Sequence, residues 1–414
     1  MIVRVSGPET AKIFERIAPA VIAPASRTIL HISGMNIPSW VYQFKSPRSF
    51  TGDDLIELHL PGNPLLARMA LDQLIKLGAR QAEPGEFTAR AYFNGRIDLS
   101  QAEGVAAIIA AGSRAELSAA AQLAGGELSR RLRPAMDALV ETLAQVEAEI
   151  DFSDQDVPFV AGDELLRAIR EIDAHLESLL QQSARFDRLS HEPTIVLAGR
   201  PNAGKSTLLN ALAQADRAIV SPISGTTRDA LSATVALPSG IVRLVDVAGL
   251  DEGDSSVEID AQMRRRAEEE IHAADLVMLV CDASDSEPAI SLPRSADLTI
   301  WTKIDLTGSR GKPLEISALT GQGMEQLRCE LDALAFARNA TSEVGTLALN
   351  ARHIRAITAG RDALGRSIEQ AKAQNIELVA AELRGTLDEL GLVLGVVSPD
   401  DLLGKIFSTF CIGK

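Results

Sequence analysis

The sequence predicts a multidomain α/β chain: a P-loop domain inserted into an all-α helical domain, preceded by a smaller α+β domain. Three observations predict it. Gly199-Arg200-Pro201-Asn202-Ala203-Gly204-Lys205-Ser206 matches the phosphate-cradling pattern GxxxxGK[ST]. Residues 193 to about 337 alternate strand and helix patterns, as a doubly wound domain does. The segments on either side of that stretch read as helical, and residues before about 95 mix short apolar runs with turn residues.

Taken in order, Val3–Val5, Ile29–Ile32, Trp40–Phe44 and Leu55–Leu60 read as strands. Leu65–Lys76 reads as a helix ended by Gly78. From Ser100 to about Ile150 the chain is alanine-rich, with few breakers, and reads as helix. Asp151–Gly162 reads as a loop. Leu165, Leu166, Ile169, Ile172, Leu176 and Leu179 then mark an amphipathic helix. Glu192-Pro193 marks a boundary, Ala340–Gly345 a polar link, and residues 350 to 408 return to helix. The domains are therefore expected at 1–97, 98–191, 192–340 and 341–414, the second and last forming one helical domain.

At 414 residues the chain exceeds the ~250 at which single cores stop growing. No apolar run reaches the ~18 residues of a membrane span, and the N-terminus lacks a secretory pattern. Cys281, Cys329 and Cys411 have no metal-ligand spacing, which suits a reducing cytoplasm. Cys281 and Cys329 read as ordinary buried residues. A formal charge of −15 argues against a nucleic-acid footprint spread over the whole surface. The short runs Arg130-Arg131 with Arg133, and Arg264–Arg266, read as solvated helix faces.

The phosphate loop sits between an apolar strand, Thr194–Ala198, and Leu208, Leu209 and Leu212 at helical spacing. Backbone N–H groups at such a helix start point at phosphate; Lys205 reaches the β/γ-phosphates and Ser206 is placed to ligate Mg²⁺, with Ala203, Gly204 and Thr207 completing the cradle. Asp246-Val247-Ala248-Gly249 follows the apolar strand Ile241–Val245. DxxG there turns a carboxylate toward the Mg²⁺ shell and the Gly249 N–H toward the γ-phosphate. Gly225-Thr226-Thr227-Arg228-Asp229 lies between, and Thr227 is assigned as the second Mg²⁺ ligand. Thr302-Lys303-Ile304-Asp305 fits [NT]KxD, whose aspartate accepts from the ring N–H and amine of guanine. Ser317-Ala318 fits the last base-contacting loop. The order of the motifs selects GTP over ATP.

Leu250 follows DxxG where a water-orienting glutamine stands in Ras-like proteins. It offers no hydrogen bond, so another residue is needed; the polar stretch Asp251–Val257 ends at Glu258. Asn202 and the carbonyls of Ser221–Thr226 suit a large monovalent cation that would neutralise charge developing between the phosphates. The alternative for Asn202 is a local turn-former.

These motifs, with Pro84-Gly-Glu-Phe-Thr-Ala-Arg-Ala91, Asn94-Gly-Arg-Ile-Asp-Leu-Ser-Gln-Ala-Glu103, Ile219–Asp229 and the terminal Cys411-Ile-Gly-Lys414, resemble the MnmE (TrmE) family of bacterial tRNA-modification GTPases. The resemblance covers nearly the whole chain. It implies an N-terminal domain that dimerises and binds a 5-formyltetrahydrofolate-type cofactor, with Arg4, Glu57, Arg96 and Lys414 at the folate-contacting positions. It implies K⁺ held by Asn202, Ser221, Ile223 and Thr226, Mg²⁺ held by Ser206 and Thr227, and water oriented by Glu258. The implied partners are a second copy, an FAD-containing MnmG-type protein and, largely through it, tRNA. The implied product is an aminomethyl-type group on C5 of the wobble uridine.

The sequence departs from the family at several points. Members usually carry a further strand and glycine-rich turn ahead of the equivalent of Met1, so the N-terminal sheet is expected to lack an edge. Pro61-Gly62-Asn63 stands for His-Gly-Gly, Arg96 for Lys, and Thr302 for the Asn of NKxD. Cys411 is either a nucleophile or redox thiol, or a packed terminal cysteine. Two other functions compete: a ribosome-assembly GTPase switch, which would usually carry a basic appendage absent here, and a GTP-binding regulatory homologue impaired in modification.

Overall fold

The computed structural model describes residues 1–18, 24–151, 162–186, 192–214, 231–247, 258–285, 292–336 and 347–396. The chain divides into two compact units. One comprises Met1–Ala110, Ala119–Arg185 and Leu347–Lys414, the other Ala111–Ser118 and Phe186–Thr346.

The first unit opens with an antiparallel sheet of β1 (Ile2–Ser6), β2 (Ala25–Ile32), β3 (Met35–Phe44) and β4 (Leu55–His59), in the order β1-β4-β3-β2. Alternation places Val3, Leu30, Val41 and Leu58 against α1 (Thr10–Glu15) and α2 (Pro64–Lys76). Asn63 caps α2 through its side chain, and Pro64 takes the first helical position. The opposite sheet face carries Ile2, Ile29, Trp40 and Phe44, all exposed. A cavity of about 680 Å³ runs along β1, lined on its far side by α2 and by α3 (Glu86–Phe93).

The stretch expected as one helix to Ile150 is three: α4 (Leu99–Ala110), α5 (Arg114–Ala124) and α6 (Glu127–Asp151). Both breaks are glycine-based. At the first, the Glu116 carboxylate accepts the N–H groups of Gly112 and Ser113, starting a new helix. At the second, Gly126 adopts φ +80°. Then follow α7 (Gly162–Gln181) and the short β5 (Ala184–Arg185).

The second unit contains β6 (Thr194–Ala198), α8 (Lys205–Gln214), β7 (Leu231–Leu237), β8 (Gly240–Asp246), α9 (Glu258–Ala273), β9 (Leu276–Asp282), β10 (Leu298–Thr302), α10 (Ile304–Thr307) and α11 (Met324–Ala335). Its sheet order is β10-β9-β6-β8-β7, parallel except for the β7–β8 hairpin. Ile195 and Leu197 of β6 enter one core with Leu208 and Leu327, while Val196 and Ala198 enter another with Ala267 and Ile271. Both faces of the central strand are thus covered, as its unbroken apolar run requires. The chain runs from β6 to β7 and β8 on one side of it and then to β9 and β10 on the other, so the carboxyl end of β6 lies at a switch point where ligands bind.

The chain returns to the first unit through β11 (Ala348–Leu349), α12 (Ala351–Lys372) and α13 (Ile376–Leu394). β11 pairs in parallel with β5. Leu139, Ile169, Leu176, Ile357, Leu364 and Leu383 interlock α6, α7, α12 and α13 in one core. Among the described residues no helix is long and apolar enough to cross a membrane.

One cysteine departs from expectation. Cys329 is exposed, because Leu327 and Leu331 occupy the inward stripe of α11 and their spacing turns position 329 outward. Cys281 is partly buried, and burial pushes its thiol up from the ordinary value.

Candidate nucleotide-binding site

The phosphate loop leaves the end of β6 and re-enters helix at Lys205. Its first glycine is required by close approach: a Cβ on Gly199 would lie 2.3 Å from the Val280 carbonyl oxygen of β9. Asn202 adopts φ +60° and Gly204 φ +94°. Asparagine is among the few side-chain-bearing residues that tolerate this region, so the backbone accounts for Asn202 as a turn residue and leaves its exposed amide free to act outward. The Lys205 ammonium donates to the carbonyls of Gly199 and Arg200 at 2.8 and 3.0 Å, folding it over the loop where phosphate oxygens would sit. Thr207 is exposed on the first turn of α8.

Two contacts bring other motifs to this loop, and a third joins the two base-reading motifs to each other. Ser206 Oγ donates to Asp246 Oδ2 at 2.7 Å. Asp246 is buried and its Oδ1 has no protein partner among the described residues. A buried carboxylate oxygen without a donor is costly, and a hard cation supplies the missing positive charge. The Ser206–Asp246 oxygen pair therefore fits Mg²⁺. Thr302 Oγ1 donates to the Ala203 carbonyl at 2.6 Å and lies 3.1 Å from that of Cys281. The threonine substitution thus keeps a bridge from the base-reading motif to the phosphate loop. Asp305 Oδ1 accepts from Ser317 Oγ at 2.6 Å, and Ser317 is wholly buried, which fixes the carboxylate. Ala318 follows, half-buried.

Lys303 takes φ +61° and pairs with Asp282 at 2.7 Å. Burial pushes the Asp282 carboxyl up, but hydrogen bonds from Lys303 and Ser284 hold it below its ordinary value. Sequence reading missed this pairing; the strand-end position of Asp282, beside Thr302 in the ladder, is the signal. Ser221, Ile223, Gly225, Thr226, Thr227 and Gly249 lie outside the described residues. Glu258 is the first residue of α9, and its side chain is outside the description.

A second polar group lies on the open face of the N-terminal sheet. Arg4 of β1 and Glu57 of β4 are cross-strand neighbours joined at 2.8 Å. His59 Nε2 lies 3.1 Å from the other Glu57 oxygen, and the His59 ring meets Tyr42 at 4.8 Å between centroids. Burial raises the Glu57 carboxyl, but the bonds from His59 and Arg4 outweigh it and leave it lowered. His59 and Tyr42 went unnoticed in the sequence, although strand alternation puts them on the face of Glu57. Arg96 is exposed, its backbone N–H bonded to the Ala91 carbonyl at 2.8 Å and its stem beside Gly52. Cys411 and Lys414 lie outside the described residues. Among the described residues no group of three His, Cys, Asp or Glu is placed to hold a metal.

Comparison with known proteins gives two family matches. The MnmE helical domain matches residues 99–411, and the GTP-binding protein TrmE N-terminus matches residues 1–96. A tRNA modification GTPase MnmE of Xanthomonas euvesicatoria pv. vesicatoria is 40% identical over 390 residues, covering 90% of this chain and 85% of that protein. One from Aquifex aeolicus is 37% identical with the same coverage. One from Xanthomonas oryzae pv. oryzae is 38% identical over 440 residues, covering all of this chain and 95% of that protein.

Proposed function

This chain belongs to the MnmE (TrmE) family of tRNA modification GTPases, and from that premise we propose that it is a potassium-dependent GTP hydrolase working with an FAD-containing partner on the wobble uridine of tRNA. The observation that carries the reading is the joining of four separated motifs into one group through Ser206–Asp246, Thr302–Ala203 and Asp305–Ser317.

In this reading Lys205 and the loop amides bind and orient the β- and γ-phosphates. Asp305 selects guanine. Ser206 and Thr227 would hold Mg²⁺, with Asp246 behind Ser206; the ion's chemistry there is neutralisation of phosphate charge. Asn202, Ser221, Ile223 and Thr226 would hold K⁺ in place of an arginine finger. Glu258 orients the attacking water, a task Leu250 cannot perform. The Arg4–Glu57 pair, with Arg96 and Lys414, would receive a folate; a guanidinium and a carboxylate side by side suit a ring that both donates and accepts. The exposed Ile2, Ile29, Trp40 and Phe44 support self-association through the N-terminal sheet.

Turnover in matched KCl and NaCl tests the cation assignment. GTP hydrolysis should be much faster in K⁺, and Asn202→Ala should remove the difference. Equal rates of the unaltered protein in the two salts would exclude a potassium site.

Cys411→Ser should abolish tRNA modification and leave GTP hydrolysis intact. The thiol lies outside the nucleotide-binding motifs, and phosphoryl transfer needs no sulfur. Serine keeps size and hydrogen bonding but is a far weaker nucleophile near neutral pH. Nucleoside analysis of tRNA from cells dependent on this protein reads the result. Normal wobble modification in that background would mean that Cys411 only packs.

A further inference from the structure

The Asn94–Glu103 motif is not used by the nucleotide site, yet its last residue is a largely buried carboxylate that meets three side chains from α12 and its N-cap. Glu103 of α4 takes a forked pair of bonds from Arg352, Nε to Oε1 and Nη2 to Oε2, each 2.8 Å. Asn350, the N-cap of α12, donates its amide to Oε2 at 3.0 Å. His353, with no exposed side-chain surface, brings Nε2 to 2.7 Å from Oε2. Its Nδ1 faces the Asn350 backbone N–H at 3.5 Å, so the ring's proton belongs on Nε2, which lies close to Glu103 but off the line of a hydrogen bond. Burial alone would raise the Glu103 carboxyl, but His353 and Arg352 hold it at about 2. Burial lowers the His353 ring from its ordinary value. The group is therefore a carboxylate, a neutral imidazole and a guanidinium near neutral pH.

Arg352 does more than neutralise Glu103. Its Nη1 donates to the Leu392 carbonyl, and its Nη2 donates to that of Val393 at 3.1 Å. These are among the last carbonyls of α13, which have no intrahelical donor. A planar five-donor fork can serve a carboxylate and a helix end together; an ammonium on a single stem cannot. The same helix end is held from a second side. Tyr92 of α3 donates its hydroxyl to the Gly395 carbonyl. Gly395 adopts φ +77°, and a Cβ there would lie 2.6 Å from Tyr92 Oη and 2.7 Å from Leu99 Cβ. α3, α4 and α12 thus converge on the point where the chain leaves α13.

We propose that Glu103 is a positioning residue for the tRNA-modifying step: by fixing the Arg352 fork, it sets the place from which the chain leaves α13 and runs on to its Cys411-bearing end. The inference rests on the reading that the C-terminal motif serves modification and not GTP hydrolysis. It separates two roles for Arg352. If Arg352 only compensates buried charge, lysine suffices. If it ties the helix end to Glu103, lysine fails.

The test uses the full chain with its flavin partner and tRNA. Arg352→Lys keeps the charge, so it should fold; Glu103→Gln removes the anchor itself. In both variants modification should fall roughly tenfold or more, since a small displacement of a reacting group can cost ~100-fold. GTP turnover should stay unchanged. Amide exchange should accelerate at residues 391–396, where the Val396 N–H bonds the Gly391 carbonyl at 3.0 Å, and stay unchanged in α6 and α7. Three results overturn the proposal: wild-type modification by Arg352→Lys, parallel loss of GTP turnover, or unaltered exchange at 391–396. If the unaltered protein modifies no tRNA, the proposed function fails separately, and exchange at 391–396 alone decides whether the tether exists.

Discussion

Asp305→Asn is expected to turn a GTP-selective protein into one that prefers XTP, with a change in relative affinity of about 10⁴-fold. Guanine presents two donors to the aspartate; xanthine replaces one of them with a carbonyl. An asparagine amide offers that carbonyl a donor and leaves guanine's amine facing another N–H. The effect is large because the carboxylate is fixed by Ser317 and has little freedom to turn away. Sites built to hydrogen-bond a particular group discriminate most strongly against its absence. Competition binding with GTP and XTP measures the switch. Unchanged preference for GTP would show that Thr302–Asp305 does not read the base.

Glu258→Ala should slow hydrolysis by about 10²–10⁴-fold, the usual contribution of a residue that positions or activates a water. Nucleotide affinity should stay close to that of the unaltered protein, because Glu258 is assigned to the water and not to the phosphates. The motif carries Leu250 where a hydrogen-bonding side chain is expected, so that position cannot take over the role. Single-turnover hydrolysis, with binding of a non-hydrolysable analogue measured alongside, separates the two quantities. A variant that binds the analogue poorly, or hydrolyses GTP at the normal rate, would place the role elsewhere.

The nucleotide site was legible because its chemistry is local. A phosphate loop needs its residues at fixed spacing between a strand and a helix, and Gly199–Ser206 has them in order. The contacts that unite the motifs were not legible. Thr302 looked like a loss relative to asparagine, yet its hydroxyl reaches Ala203 across the site, a contact set by the packing of β10 beside β9. The strand cores were likewise read from short apolar runs, but their ends were not. β3 extends back to Met35 because pairing with β2 supports a start that Asn36, Pro38 and Ser39 do not mark as strand. Helix breaks at Gly112 and at Gly125–Gly126 were obscured by the alanine-rich sequence around them. Glu103 stands in the sequence only as the end of a motif, since its partners lie some 250 residues along the chain.

The pairing of β5 with β11 also has a consequence for the order of folding. The strand by which the chain leaves the first unit lies beside the strand by which it returns. During synthesis, α6 and α7 emerge with Leu139, Ile169 and Leu176 still lacking the partners that α12 and α13 later provide. The second unit has cores of its own and emerges complete before those partners do. It is therefore expected to fold before the helical core closes, since domains generally fold as units during synthesis. A ribosome stalled between the second unit and α12 would hold a finished second unit and a helical core with an uncovered apolar face. That unfinished face is the natural substrate of a holding chaperone, and the last two helices release it.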